Sequence, residues 1–140
     1  MTSKVLIVVH QKTSVSGHVG VLLEERGYTL DRRCPMIGHE LPETLDDHAG
    51  VVVFGGPMSA NDEHLDGIRT ELKFMDTVLA SDTPFFGICL GGQLLARALG
   101  AQVYLHDQGN VEVGYTKIHP TDLGRPYFEH SEPFYQWHKE

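Results

Sequence analysis

Pro84-Phe85-Phe86-Gly87-Ile88-Cys89-Leu90-Gly91-Gly92-Gln93-Leu94-Leu95 is the stretch whose reading decides the fold. Its first half is short and apolar, as a strand buried in a sheet is. Its second half is helical, running from Gln93 to Leu99 and stopped by Gly100. Between the two halves, Gly87, Gly91 and Gly92 flank Cys89. Glycines crowd a strand-to-helix turn when neighbouring side chains would clash there. A cysteine at such a turn faces the positive end of a helix, where negative charge is favoured. Cys89 is therefore read as a nucleophile on a sharp elbow. The alternative, a buried core cysteine beside a glycine-rich turn, is disfavoured because the elbow is complete on both sides.

Working outward, the chain alternates strand and helix. Residues 5–9, Val-Leu-Ile-Val-Val, form a continuous apolar run suited to a strand covered on both faces. Residues 19–26 are expected to be a helix ending at Gly27, and residues 28–34 a second strand. Residues 35–49 are a polar connection anchored by Leu45, and Val51-Val52-Val53-Phe54 is a third buried strand ending at Gly55-Gly56-Pro57. A long amphipathic helix follows, with Leu65, Ile68, Leu72, Met75 and Leu79 on one face and Phe74 and Val78 widening it. Residues 85–90 are the fourth strand. Residues 102–106 and 112–119 are expected to be two more, the second with mixed faces that suit an edge or a hairpin. The fold class is α/β: a mostly parallel, flavodoxin-like sheet with helices on both faces. In such sheets ligands bind beyond the carboxyl ends of the strands. Gly55-Gly56-Pro57 and the Cys89 elbow then meet at one edge.

Composition limits the function classes. With 140 residues, one domain spanning 1–140 is expected. The net charge of −8, with no Lys/Arg-rich block, argues against a nucleic-acid groove. No apolar stretch approaches membrane-spanning length. The apolar run after Lys4 is too short for a signal peptide, and His10-Gln11-Lys12 stands where small cleavage-site residues belong. Cys34 and Cys89 do not resemble a secreted disulfide framework, so a cytoplasmic location is expected. The nine histidines show no helix-face metal spacing, and no metal or cofactor is expected.

A thiolate attacking a carbonyl carbon creates an oxyanion that needs backbone N–H donors. The N–H of Leu90, next after the nucleophile, is the natural first donor. Gly56 supplies the second, with Pro57 stiffening its turn; an ordinary turn is the competing reading of Gly55-Gly56-Pro57 taken alone. Gln93, on the first turn of the helix, either holds a polar substrate or faces solvent, and spacing does not choose.

The run from Phe86 to Ala96, together with Phe54-Gly55-Gly56-Pro57-Met58-Ser59, resembles a class I glutamine amidotransferase domain. The closer likeness is to stand-alone members similar to the glutaminase part of GMP synthase, and Glu112-Val113-Gly114-Tyr115 resembles a segment after the elbow helix in that family. The resemblance implies that Cys89 attacks the side-chain amide of glutamine and releases ammonia through a glutamyl thioester. On it, Gly56 and Leu90 hold the oxyanion, and Gly55, Met58 and Gln93 bind substrate. It also implies an ammonia acceptor, bound elsewhere or on a partner synthase. Two rivals remain: a γ-glutamyl peptidase of the same fold, and a non-catalytic redox sensor or binding module built on the same cysteine.

One departure is conspicuous. The family completes its triad with a His-Pro-Glu motif on a late strand, and none occurs here. His138-Lys139-Glu140 has a superficial His-x-Glu pattern. Tyr135-Gln136-Trp137-His138 instead resembles an earlier aromatic-His strand of the family, so His138 and Glu140 are disfavoured as triad members. The expectation is a domain incomplete at its C-terminal end, and inactive as it stands for want of a general base.

Overall fold

Val5, Leu6, Ile7, Val8 and Val9 are all buried, and they build the middle of the sheet. The computed structural model describes residues 3–128 and 132–140. In chain order the elements are β1 (Lys4–Val8), α1 (Gly17–Glu25), β2 (Thr29–Arg33), a 3-10 turn (Pro35–Ile37), β3 (His48–Val53), α2 (Asp66–Leu79), β4 (Phe85–Gly87), α3 (Leu90–Ala98), β5 (Glu112–Lys117) and β6 (Pro133–His138). They fall into two compact units, Met1–Val103 and Tyr104–Glu140.

In the first unit four strands run parallel in the order β2-β1-β3-β4. Alternate residues of each strand point to opposite faces, so one apolar run serves two cores. Leu6, Val8, Val51 and Val53 meet Ile68, Phe74, Met75 and Val78 of α2 and Leu90 and Leu94 of α3. Val5, Ile7, Val9 and Val52 pack with Cys34 and with Val19 and Leu23 of α1. Helices thus cover both faces, as expected for a flavodoxin-like sheet. The chain leaves β1 for β2 on one side and returns to β3 on the other, so the sheet's switch point lies between β1 and β3.

The second unit is an antiparallel hairpin, with Glu112 opposite His138 and Lys117 opposite Pro133. Tyr115 and Tyr135 meet edge to face across it, ring centroids 5.4 Å apart. The sequence expectation of a strand over residues 102–106 fails: that segment has no strand pairing. It holds apolar residues, but Tyr104 and Leu105 are exposed and no neighbouring strand accepts them. β4 is shorter than expected, ending at Gly87 because the chain turns into the elbow. The buried stripe of α2 is also rotated: Glu71 lies inside it, and Leu79 is exposed.

Asp31 anchors the outer strand β2. Its carboxylate accepts from Arg33 Nε at 2.6 Å and Nη2 at 3.1 Å, and lies 3.1 Å from His48 Nε2 on β3. The hydrogen bond from Arg33, opposed by burial and reinforced by His48, holds the Asp31 carboxyl below its ordinary value of 3.8. A depressed carboxylate contributes stability that is complete above the unfolded value and is lost as pH falls through the folded one. D31N is therefore expected to lower stability at pH 7 by about 1 kcal/mol, a modest figure because Arg33 is partly solvated. The deficit should shrink as pH falls from 7 to about 2, through the depressed folded-state value. Urea unfolding of both proteins at the two pH values checks this; a deficit independent of pH would refute the charge-based account.

Candidate active site

The elbow is built by main-chain approach. Ile88 N–H extends the β4 pairing by donating to Val53 O at 2.9 Å, and Leu90 then opens α3. Cys89 joins the two elements with φ 52° and ψ −112°. It is the one described non-glycine residue with positive φ. Such a conformation costs on the order of 1–3 kcal/mol and persists only where surrounding contacts enforce it. Those contacts are visible. A Cβ on Gly91 would lie 2.2 Å from the carbonyl oxygen of Val53, and one on Gly87 would lie 2.6 Å from Gly92 N. Only bare backbone lets α3 start this close to β3.

The turn presents the thiol. Cys89 is exposed, whereas Cys34 is fully buried in the core facing α1. Leu90 is buried at the first helical position, where amide N–H groups lack an intrahelical partner. Gln93 is half-buried on the first turn, its N–H donating to Cys89 O at 3.0 Å. The strand end of β3 lies beside the cysteine: a Cβ on Gly55 would be 3.3 Å from Cys89 Cβ and 3.8 Å from its Sγ. Gly56 follows. Met58 is partly buried and packs against the core beneath α2 and α3. Its neighbours are tied down by Ser59 N–H donating to Asp62 Oδ2 at 2.8 Å and by Arg97 of α3, which holds Ala60 O and pairs with Glu63. The structure therefore brings Cys89, Leu90, Gln93 and Gly55 together.

His138 and Glu140 lie in the hairpin unit. Nδ1 of His138 is 2.8 Å from the main-chain oxygen of Glu140, and Nε2 is 2.9 Å from Glu112 Oε2 on β5. Both ring nitrogens are thus engaged within the hairpin. Among the described residues no group of three His, Cys, Asp or Glu side chains is arranged to hold a metal, and no helix is long and apolar enough to cross a membrane.

Two residues not singled out by the sequence reading stand behind the site. His10, two positions past β1, is almost fully buried. Its Nδ1 donates to Gly55 O at 3.0 Å, and its Nε2 lies 3.0 Å from Glu71 Oε2 of α2. Both side chains of that pair are wholly buried. The signals were present: a histidine directly after an apolar strand run, and a carboxylate among the apolar positions of a helix face.

A family model described as glutamine amidotransferase class-I matches residues 18–139. The chain belongs to the class I glutamine amidotransferase family. It is 32% identical over 125 residues to the glutamine amidotransferase-like protein YfeJ of Salmonella typhimurium, covering 86% of this chain and 52% of that protein. It is also 32% identical over 99 residues to the glutamine-hydrolyzing GMP synthase of Petrotoga mobilis, covering 69% of this chain and 18% of the synthase. The crystal structure of a glutamine amidotransferase from Thermotoga maritima superposes with a TM-score of 0.81 at 28% identity, over 99% of this chain and 61% of that one. The chain thus spans about half the length of its YfeJ relative.

Proposed function

We propose that Cys89 is the nucleophile of a glutamine amide hydrolase. The thiolate adds to the side-chain carbonyl carbon of glutamine. The oxyanion is held by the N–H groups of Leu90 and Gly56, its collapse breaks the C–N bond as the leaving nitrogen takes a proton from water, and ammonia departs. Water then releases glutamate from the thioester. Gly55, Met58 and Gln93 form the substrate contacts, and the ammonia passes to an acceptor on a partner synthase. The observation that carries the reading is the positive-φ Cys89 held between β4 and α3 with Gly55 against its sulfur. His138 and Glu140 are left out of the triad in this reading, since both nitrogens of His138 are engaged in the hairpin.

The test needs only the nucleophile and its pocket. A chloromethyl ketone analogue of glutamine is expected to alkylate Cys89 alone, with glutamine slowing the reaction and Cys34 unlabelled until the protein unfolds. Peptide mapping by mass spectrometry reads the result. Labelling of Cys34 with Cys89 untouched would overturn the assignment. Protection by a γ-glutamyl peptide but not by glutamine would move the substrate to γ-glutamyl amides.

A further inference from the structure

The buried pair His10–Glu71 bridges three parts of the chain beside the candidate site. His10 follows the central strand β1, Glu71 lies in the middle of α2, and Gly55 lies two positions past β3. Burying a histidine and a carboxylate together is costly unless their hydrogen bonds are satisfied. Here the bonds are directional. The Gly55 carbonyl can only accept, so it fixes a proton on Nδ1 of His10. The remaining nitrogen shares a proton with Glu71 Oε2, which fixes the ring's plane and tautomer. The other oxygen, Glu71 Oε1, is buried with no hydrogen-bond partner among the described residues, so the carboxyl group serves the imidazole alone.

The imidazole also sets where the next residue can lie. A Cβ on Gly56 would be 2.7 Å from His10 Cβ and 2.8 Å from its Cγ. The ring therefore packs directly on the Gly56 backbone while its Nδ1–H holds the Gly55 carbonyl. A peptide plane gripped by its carbonyl on one side presents its N–H on the other. The Gly55–Gly56 peptide carries the Gly56 N–H that is the second oxyanion donor in the proposed function.

The geometry points to His10, backed by Glu71, as a positioning residue that aims the Gly56 N–H at the oxyanion. This rests on the amide-hydrolase reading for its consequence, though not for its structure. His10 touches neither Cys89 nor a substrate in this scheme. It acts through the peptide it holds.

Two reactions of Cys89 separate this role from a merely structural one. Attack on 4-nitrophenyl acetate expels nitrophenolate and forms a thioester through a tetrahedral oxyanion. Alkylation by iodoacetamide expels iodide with no oxyanion. H10A is expected to slow acylation by about 10–100-fold, the range for a displaced oxyanion donor, and to leave alkylation within about twofold. H10N places an N–H near the Nδ1 position and should recover most of the acylation. Amide hydrogen exchange over residues 55–58 should rise about tenfold in H10A and return in H10N. Should H10A not fold, H10N and H10Q carry the test, because asparagine keeps the bond to Gly55 and glutamine reaches towards Glu71 instead. H10N should then acylate several-fold faster.

An equal fall in both reactions, unchanged exchange in a folded H10A, or H10Q surpassing H10N would overturn the assignment. If wild-type Cys89 is alkylated by iodoacetamide but resists the ester and the glutamine analogue, the amide-hydrolase reading falls. The exchange result then decides the His10 strut by itself.

Discussion

G91A is expected to destabilise the protein by about 3 kcal/mol or more, a large share of the 5–15 kcal/mol that ordinarily holds a domain folded. The added methyl would sit 2.2 Å from Val53 O, 2.8 Å from Val53 C and 2.9 Å from Val53 Cβ. None of these atoms is the end of a flexible side chain. Val53 lies in β3, an interior strand paired on both sides, so it cannot yield without disturbing β1 and β4. Either α3 lifts off the sheet or its first turn unwinds, and both move Cys89. A control lies just past the same helix. Gly100 follows α3 with φ 86° and open space where its Cβ would be. G100A should cost only about 1 kcal/mol, from backbone strain alone. Urea unfolding followed by circular dichroism compares the two; equal costs would show that the approach of Gly91 to Val53 is not limiting.

Substitutions of Cys89 are expected to pull stability and reactivity in opposite directions. C89S should lower acylation by the glutamine analogue or by 4-nitrophenyl acetate at least about a thousandfold, because a hydroxyl is far less nucleophilic than a thiol at neutral pH. C89G should abolish the chemistry and raise stability by about 1 kcal/mol, since glycine adopts φ 52° without the strain a side chain incurs there. Thermal unfolding of wild type, C89S and C89G reads the stability, and the acylation rate reads the reactivity. A C89G variant less stable than wild type would mean that Cys89 is held in place by favourable contacts of its own, and the strain argument would fail.

The fold was largely legible from sequence because its signals are local. The apolar run Val5–Val9 that builds β1, the Val51–Val53 run of β3 and the glycine-flanked Cys89 each announce themselves within a few residues. Errors arose where a tertiary partner decides. Residues 102–106 have strand-like composition, yet no strand lies alongside them. The buried face of α2 turned towards Glu71 and away from Leu79 because a polar partner, His10, waits on that side. That pairing joins residues 61 positions apart, which no window of sequence contains. The site divides the same way. Cys89, Leu90 and Gln93 sit on one turn, and Gly55 stands in its own glycine run, so each group is visible within a few residues. His10 enters the sequence reading only as an argument against a signal-peptide cleavage site, although the carboxyl end of a central strand is where such sheets place ligand-contacting groups.

The position of the elbow is fixed by backbone meeting backbone: Gly91 on Val53, and Gly87 on Gly92. Atoms common to every amino acid therefore define where the sulfur stands. The aliphatic side chains beneath it, Leu90, Leu94 and Met75 among them, can be exchanged for others of similar volume without relocating the thiol. Sequence drift in the core and constancy at the reacting atom are thereby uncoupled. A lineage carrying this scaffold can turn over most of its interior while three glycines and one cysteine keep the same chemistry in the same place.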